Sequence, residues 1–241
     1  MMHPLHRIGI YKKRRHRLIA LGTLLLPVIA LFIIGMVTKS QTVDILSALG
    51  TSFFRLVIGY AISLIIGVSV ALVIGTSKWG ESATPILDVM QNLPSFALIP
   101  VFALLFGYTN FMAVLFIASS VIWPIIFYVL TALRTARGDL NDAATIFGAR
   151  GWKRVTHYLI PLSFPAIITG SIVGIAIGWE SVIGLEIIGY HNGIGILLNN
   201  ASLAHNQSLL LGGISMLLVL VFIINRLIWL PLLNKTHAYA D

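Results

Sequence analysis

Apolar residues occur in six long runs along the chain, separated by shorter polar connections. An α-helix needs roughly 20 residues to cross a hydrocarbon core of about 30 Å, and each run reaches that length. The short alternating segments that are typical of a membrane β-barrel do not occur. The pattern therefore predicts six transmembrane helices, at residues 18–37, 53–75, 85–107, 111–133, 160–179 and 208–230.

The first and third runs are less typical of a transmembrane helix than the other four. The first could be a cleaved signal peptide, but it is long and no small-x-small site follows it, so we expect it to remain as a span. The third is less pure, because it carries Asp88, Gln91 and Asn92 and two internal prolines, Pro94 and Pro100. The charge distribution favours counting the third run as a span.

Lys and Arg fall almost entirely on one side of the six predicted spans. With both termini in the cytoplasm, the cytoplasmic side carries six positive residues in the N-terminal tail, one at 76–84, five at 134–157 and two near the C-terminus. The other side carries only Lys39, and Arg55 lies just inside a span. Without the third span, the five positive residues of 134–157 would move outside, against the positive-inside rule.

Composition excludes a water-soluble domain. The 241 residues are 58% hydrophobic and only 10% charged, whereas soluble domains are about 45–50% apolar and about 25% charged. The formal net charge of +8 would suggest nucleic acid in a soluble protein, but here its placement indicates membrane orientation, and we expect no nucleic-acid partner. The basic tail at 12–17 either binds anionic lipid head groups or only sets the orientation.

Several kinds of chemistry are missing from the sequence. No phosphate-binding G-x-x-x-x-G-K-[ST] motif occurs, so we do not expect this chain to hydrolyse nucleotide. The seven histidines are scattered and there is no cysteine, which argues against a metal or haem site. No acid–base pair or activated nucleophile points to an intramembrane enzyme. We expect no cofactor on this chain.

The connection at 134–157 is far longer than a helix–helix turn requires. Asp139 is placed to cap a short helix, with Asp142 as the acidic residue three positions later. Gly148 is expected to end that helix in a left-handed conformation. The residues that build it are Ala143, Ala144, Ile146 and Phe147. Such a helix could lie on lipid, but its polar, alanine-rich first half favours docking to another protein.

The same residues resemble a known motif. Asp142-Ala143-Ala144, three residues, Gly148, nine residues and Tyr158-Leu159-Ile160-Pro161 are similar to the EAA loop, E-A-A-x3-G-x9-I-x-L-P. That loop marks the membrane permeases of ABC importers that depend on a substrate-binding protein. Asp142, Tyr158 and Ile160 depart from the pattern, and Asp142 keeps the charge. Residues 93–100, 105–107, 179–182 and 185–189 are similar to segments of the nitrate/sulfonate/taurine branch.

The resemblance implies an all-α, type I ABC importer permease fold that works as a homodimer in the cytoplasmic membrane of a prokaryote. It divides the chain into a cytoplasmic tail at 1–17, a permease domain at 18–230 with a coupling loop at 134–157, and a tail at 231–241. ATP and Mg would bind a separate cytoplasmic ABC ATPase dimer, so this chain would not be an enzyme. An extracytoplasmic binding protein would deliver nitrate, a sulfonate, taurine, bicarbonate or a small heteroaromatic compound. The residues implied in ATPase coupling are Asp142, Ala143, Ala144, Ile146, Phe147 and Gly148.

Three glycines recur at every fourth position of the fifth predicted span. Gly170, Gly174 and Gly178 share one helix face, and small residues at this spacing let helix backbones approach closely. The face either packs inside one subunit or forms the dimer seam beside the transport pathway. A bulky side chain would be harmful in both cases.

Polar side chains inside the predicted membrane region are candidates for the pathway, because they are costly to bury in lipid. Asp88, Gln91 and Asn92 lie where Pro94 and Pro100 free backbone groups, and their depth favours an inner gate or a packing network.

Two carboxylates follow the fifth predicted span. Glu180 and Glu186 have no compensating Lys or Arg nearby in the sequence, and apolar residues surround Glu186. Arg55 is the candidate partner for Glu186. The alternative is that both carboxylates reach water outside the membrane.

A different class of function remains open at this point. An ion-coupled secondary transporter would need no ATPase, but such proteins are commonly built from inverted repeats, and no internal repeat is visible. Co-purification of an ATPase distinguishes the two.

Overall fold

The computed structural model describes residue 29 and residues 41–77, 80–92, 94–135 and 144–237. Every regular element within these ranges is helical. Several sequence-based predictions lie outside them. These are the basic tail at 1–17, the first span at 18–37 apart from Ile29, the loop residues Asp139, Asp142 and Ala143, and the end of the C-terminal tail at 238–241.

Eight α-helices of eight or more residues follow one another along the described chain: α1 Thr42–Thr76, α2 Gly80–Gln91, α3 Ile99–Phe106, α4 Asn110–Thr135, α5 Ile160–Gly189, α6 Ile194–Leu203, α7 Gln207–Ile224 and α8 Leu230–His237. A 3₁₀ turn, Ser95–Leu98, precedes α3. Trp152–Arg154 and a π turn, Val155–Leu159, lead directly into α5, and a second π turn, Asn225–Trp229, joins α7 to α8.

Four helices of the described part are long and apolar enough to cross a membrane. They are α1, α4, the continuous helix Trp152–Gly189 and the continuous helix Gln207–Thr236. The second, fourth and sixth predicted spans each fall within one of them. With 35 residues, α1 is about 50 Å long, well beyond the hydrocarbon core.

The third predicted span is not one straight helix. Pro85–Gln91 and Ser95–Phe106 are bent by 81° from one another, and they make a fifth span only if the bent pair is counted as one. Pro94 lacks an N–H donor and disfavours the α conformation in the residue before it. The Asn92 side chain also donates to the Asp88 carbonyl (2.6 Å) at the end of α2. The predicted span over 85–107 is therefore present only as a bent helix pair, and a sixth transmembrane helix is not confirmed.

The fifth predicted span ends too early in the sequence analysis. The helix does not stop at Trp179 but continues to Gly189, so Glu180 and Glu186 lie within α5 rather than after it. The hydropathy criterion stopped at the first carboxylate, Glu180. In the continued helix Glu186 is buried with charged and polar partners.

Helix α4 lies at the centre of the bundle, between α1 and α5. On its α1 side, a Cβ added to Gly67 would lie 3.2 Å from side-chain atoms of Ile122 and Ile125. Ser63 donates a hydrogen bond to the Ala118 carbonyl at 2.8 Å. In lipid, helices associate through van der Waals packing and interhelical hydrogen bonds, and this contact provides both.

The glycine face of α5 covers the other side of α4. A Cβ on Gly170 would lie 3.1 Å from the Pro124 carbonyl oxygen, and one on Gly174 would lie 3.0 Å from the Val121 side chain. Gly178 is equally close to Val121. All three glycines are buried. Within the described chain this face packs on α4, and its role as a dimer seam stays a prediction.

Candidate functional site

The described end of the long connection forms a single helical turn that stops at Gly148. The Gly148 amide donates to the Thr145 carbonyl (3.1 Å), and the Ala149 amide donates to the Ala144 carbonyl (2.9 Å). Gly148 has a φ of +77°. These two bonds with a left-handed glycine make a Schellman motif, which satisfies carbonyls at a helix end. The left-handed turn predicted at Gly148 is present.

Large apolar side chains project from this turn. Ile146 is 82% exposed, Phe147 is 88% exposed, and Trp152, which follows a second positive-φ glycine, Gly151, is 77% exposed. Ala144 is half-buried. We call residues 144–152 the coupling segment, after the role that the resemblance to the EAA loop implies for them. Grouped apolar residues on the surface mark contact sites for protein or membrane.

A cavity of about 460 Å³ lies between the bent α2–α3 region, α4 and α5. Four aromatic residues line it: Phe102, Trp123, Phe127 and Tyr128. Its polar lining comes from three serines and Gln91. None of the described lining residues is an acid, a lysine, an arginine or a histidine. Ligand pockets are usually concave and mostly apolar, with a few polar groups.

The polar residues predicted at the third span lie mostly beside this cavity rather than in its wall. Asp88, Gln91 and Asn92 are all exposed. Gln91 donates a long hydrogen bond of 3.4 Å to Asp88, and it is the one of the three that lines the cavity. Pro94 and Pro100 flank the 3₁₀ turn and are exposed.

Pro124 is a cavity residue that the sequence analysis did not single out. It lies inside α4 and has no N–H to donate, so the Ser120 carbonyl lacks its usual donor four residues later. Both residues line the cavity. A proline within an apolar run was the signal that could have identified this position.

Arg55 and Glu186 form a buried ion pair, as the sequence suggested. Arg55 Nη1 lies 2.7 Å from Glu186 Oε1, and the two side chains are 3% and 1% exposed. The Arg55 guanidinium also lies 4.7 Å from the centre of the Tyr190 ring, within the range of a cation–π contact. Glu180 is exposed, so of the two carboxylates only Glu180 fits the alternative of reaching water.

Ser52, Asn110 and Asn192 also contact this ion pair. We call the five residues together the Arg55 cluster: Arg55, Glu186, Ser52, Asn110 and Asn192. Ser52 Oγ lies 2.8 Å from both carboxylate oxygens of Glu186. Arg55 donates to the Asn110 side chain from Nε and Nη2 and to Asn192 from Nη1 and Nη2. The cluster thus joins α1, α4, α5 and the loop before α6.

The cluster lies at one end of the bundle. Asn110 is the first residue of α4, and Glu186 is three residues from the end of α5. Arg55 is 21 residues from the other end of α1 at Thr76, roughly 31 Å along the helix. The coupling segment lies between α4 and α5 at the opposite end.

Sequence reasoning identified the charged pair but missed its polar partners. Ser52 precedes Arg55 by three positions and therefore shares its helix face, so this partner could have been found. Asn110 and Asn192 are far away in the sequence, and only the fold brings them to Arg55. No group of three or more His, Cys, Asp or Glu that could hold a metal occurs among the described residues, and the absence of a cofactor on this chain stays a prediction.

Comparison with known proteins supports a transport function. Residues 63–229 match the family described as "Binding-protein-dependent transport system inner membrane component". The fold resembles an inward-facing structure of the MetNI methionine ABC transporter, with a TM-score of 0.61 and 18% identity over 76% of this chain and 90% of that chain. At this identity the likeness supports the fold.

The curated relatives are permeases. The permease protein SsuC of Escherichia coli, named for aliphatic sulfonates, is 33% identical over 68% of this chain and 63% of its own length. The nitrate import permease protein NrtB of Synechococcus elongatus is 25% identical over 62% of this chain and 54% of its own. The taurine permease protein TauC of Escherichia coli is 23% identical over 58% and 51%. The matches thus span about half to two thirds of these relatives.

These relatives are those of the nitrate/sulfonate/taurine branch that the sequence motifs indicated. They are named as permease proteins. The family match covers more than half of the chain and includes the described end of the coupling loop, the glycine face of α5 and the Glu186 side of the Arg55 cluster. The chain belongs to the family of inner-membrane components of binding-protein-dependent ABC transport systems.

Proposed function

We propose that this chain is the membrane subunit of an ATP-driven importer. Two copies would form the pathway in the cytoplasmic membrane of a prokaryote. Two copies of a separate cytoplasmic ABC ATPase would bind ATP and Mg, and an extracytoplasmic binding protein would deliver the solute. The exposure of the coupling segment is the observation that carries this proposal. Its side chains Ile146 and Phe147 are almost fully exposed on a helical turn that ends at Gly148.

The position of the coupling segment supports a role in transmission. It precedes the helix Trp152–Gly189, which runs without a break for 38 residues, about 57 Å. A displacement at Trp152 would therefore be carried along the whole of α5 to Glu186. Closure of the ATPase pair would move the coupling segments, and the membrane helices would rock as rigid bodies to change access.

The solute is proposed from the relatives. Their names concern sulfonates, nitrate and taurine, so we propose a small solute of that kind, with bicarbonate or a small heteroaromatic compound as further members of the set. The cavity offers aromatic faces and hydroxyl groups without a charged side chain among its described lining residues. A charged solute would thus meet no fixed counter-charge there, and selection would rest largely on the binding protein.

The test is ATPase co-purification with variants of the coupling segment. Phe147→Ser removes an 88% exposed ring, so the fold should be unaffected while the docking contact is lost. We expect ATPase recovery and transport to fall while membrane abundance is unchanged. Val43→Ser, which changes a 77% exposed residue of α1 at the other end of the bundle, is the matched control. Full ATPase recovery with Phe147→Ser, or no ATPase with the wild-type chain, contradicts the proposal.

A further inference from the structure

Helix α6 has an unusual cap. The first amides of a helix lack partners within the helix and carry partial positive charge. Here the Ile194 amide donates to Ser52 Oγ at 2.8 Å, and the Gly195 amide donates to Glu186 Oε2 at 2.9 Å. The residue before the helix, Gly193, supplies no side-chain cap. The cap of α6 therefore comes from α1 and α5.

The two glycines at this point allow the contact. Gly193 has a φ of +118°, and a Cβ there would overlap the Glu186 carboxylate. A Cβ on Gly195 would lie 2.5 Å from the Ile183 carbonyl oxygen. The start of α6 thus lies directly against α5, closer than side chains would permit.

The hydrogen-bond donors of Arg55 are all used within the Arg55 cluster. A guanidinium has five N–H donors, and Arg55 directs them to Glu186, Asn110 and Asn192. It has no donor left for an anionic solute unless one of these bonds is broken. The cluster is therefore built to hold helices together rather than to bind a transported anion.

We propose that Arg55 and Glu186 are positioning residues that dock α6 onto the membrane helices, and that α6 is the element through which the binding protein acts on the bundle. This inference rests on the proposed function. The positive-inside count puts the cluster end of the bundle outside, where a binding protein would arrive. Because the cluster also holds α1, α4 and α5, a force on α6 reaches three membrane helices at once.

The absence of cysteine from the chain makes docking measurable. Ala201 of α6 is 2% exposed, whereas Leu203 is 73% exposed. A thiol at Ala201→Cys reacts with a membrane-impermeant maleimide only when α6 leaves its site, so its labelling rate reports the undocked population. Leu203→Cys should label rapidly in every background and serves as the accessibility control.

Two backgrounds test the cap. Ser52→Ala removes the partner of the Ile194 amide and leaves the ion pair. Arg55→Met with Glu186→Met removes the cap without leaving an unpaired buried charge, an exchange that is often neutral for stability. We expect labelling at Ala201→Cys to become about tenfold faster in each. Glu180→Met, which removes an exposed carboxylate from the same helix, should leave the rate unchanged.

The functional arm uses the purified complex with its ATPase and binding protein in lipid. The concentration of binding protein that gives half-maximal stimulation of ATP hydrolysis should rise in both backgrounds, with stimulation expressed relative to each variant's own basal rate. Wild-type labelling of Ala201→Cys in the Met pair overturns the docking role. If labelling becomes faster but the concentration of binding protein for half-maximal stimulation is unchanged, α6 is not the element through which the binding protein acts. A wild-type complex that the binding protein does not stimulate contradicts the proposed function instead.

Discussion

At the scale of single residues, the fold depends on positions where a small side chain or a buried partner is required. Gly174 is the clearest case of the first kind, since the Val121 side chain occupies the space that its Cβ would need. Glu186 is the clearest case of the second, since it is 1% exposed and has three partners in Ser52, Arg55 and Gly195. These two positions give two predictions.

Gly174→Leu should impair assembly, because the added side chain must separate α5 from α4. Overpacking of this kind costs about 1–3 kcal/mol. The measurement is membrane abundance and the monodispersity of the detergent-solubilised protein. Ala176→Leu, at an exposed position of the same helix, should be tolerated. Equal behaviour of the two variants would contradict the packing of α5 on α4.

Glu186→Ala should lower the apparent melting temperature in detergent much more than Glu180→Ala. Removing one partner of a buried ion pair costs about 3–5 kcal/mol, whereas a change at an exposed position away from such features costs about 0.5 kcal/mol or less. A thermal-shift measurement on both variants checks this. Similar shifts in the two would mean that the Arg55–Glu186 pair does not stabilise the folded chain.

At the scale of the elements, the two ends of the bundle differ in kind. The Arg55 cluster end is held by buried charge and hydrogen bonds, whereas the coupling segment exposes apolar side chains around two positive-φ glycines, Gly148 and Gly151. One end is internally satisfied, and the other presents a surface that a partner can cover.

Gly148→Ala tests the shape of the coupling segment. Nothing lies within 4 Å of a Cβ at Gly148, so the change introduces no clash, but a left-handed alanine is strained by about 1 kcal/mol. We expect reduced ATPase recovery and transport at normal membrane abundance. Gly50→Ala is the control, because its site is equally open and lies within α1. Unchanged transport in Gly148→Ala would argue against a role for this turn in coupling.

The sequence pattern was sufficient to predict the helices that are apolar throughout and the turn at Gly148. It failed where tertiary contacts outweigh hydropathy. The end of α5 was missed because Glu180 interrupts the apolar run, although the helix continues to Gly189 and buries Glu186 against Arg55. Pro94 was a signal for the bend after α2, but the hydropathy of 85–107 led to the prediction of one span there. Asn110 and Asn192 could not be assigned, because hydrogen-bond partners distant in the sequence leave no periodic signal.

At the scale of the whole molecule, the proposed function requires one orientation of the chain in the membrane. The Lys and Arg distribution predicts that residues 134–157 and the C-terminus are cytoplasmic and that residues 192–206 are outside. Reporter fusions within each region measure this directly. An external result for 134–157 would remove the coupling segment from the reach of any ATPase, and an internal one for 192–206 would remove α6 from the reach of a binding protein.

The most direct test of the central claim is the composition of the intact complex. The chain should be purified in detergent from the membranes of its own organism and weighed by native mass spectrometry. We expect an assembly of two copies of this chain with two ATPase subunits, which separates when Ile146 and Phe147 are both changed to serine. A well-folded chain that is recovered at normal abundance without any ATPase would contradict the proposed function.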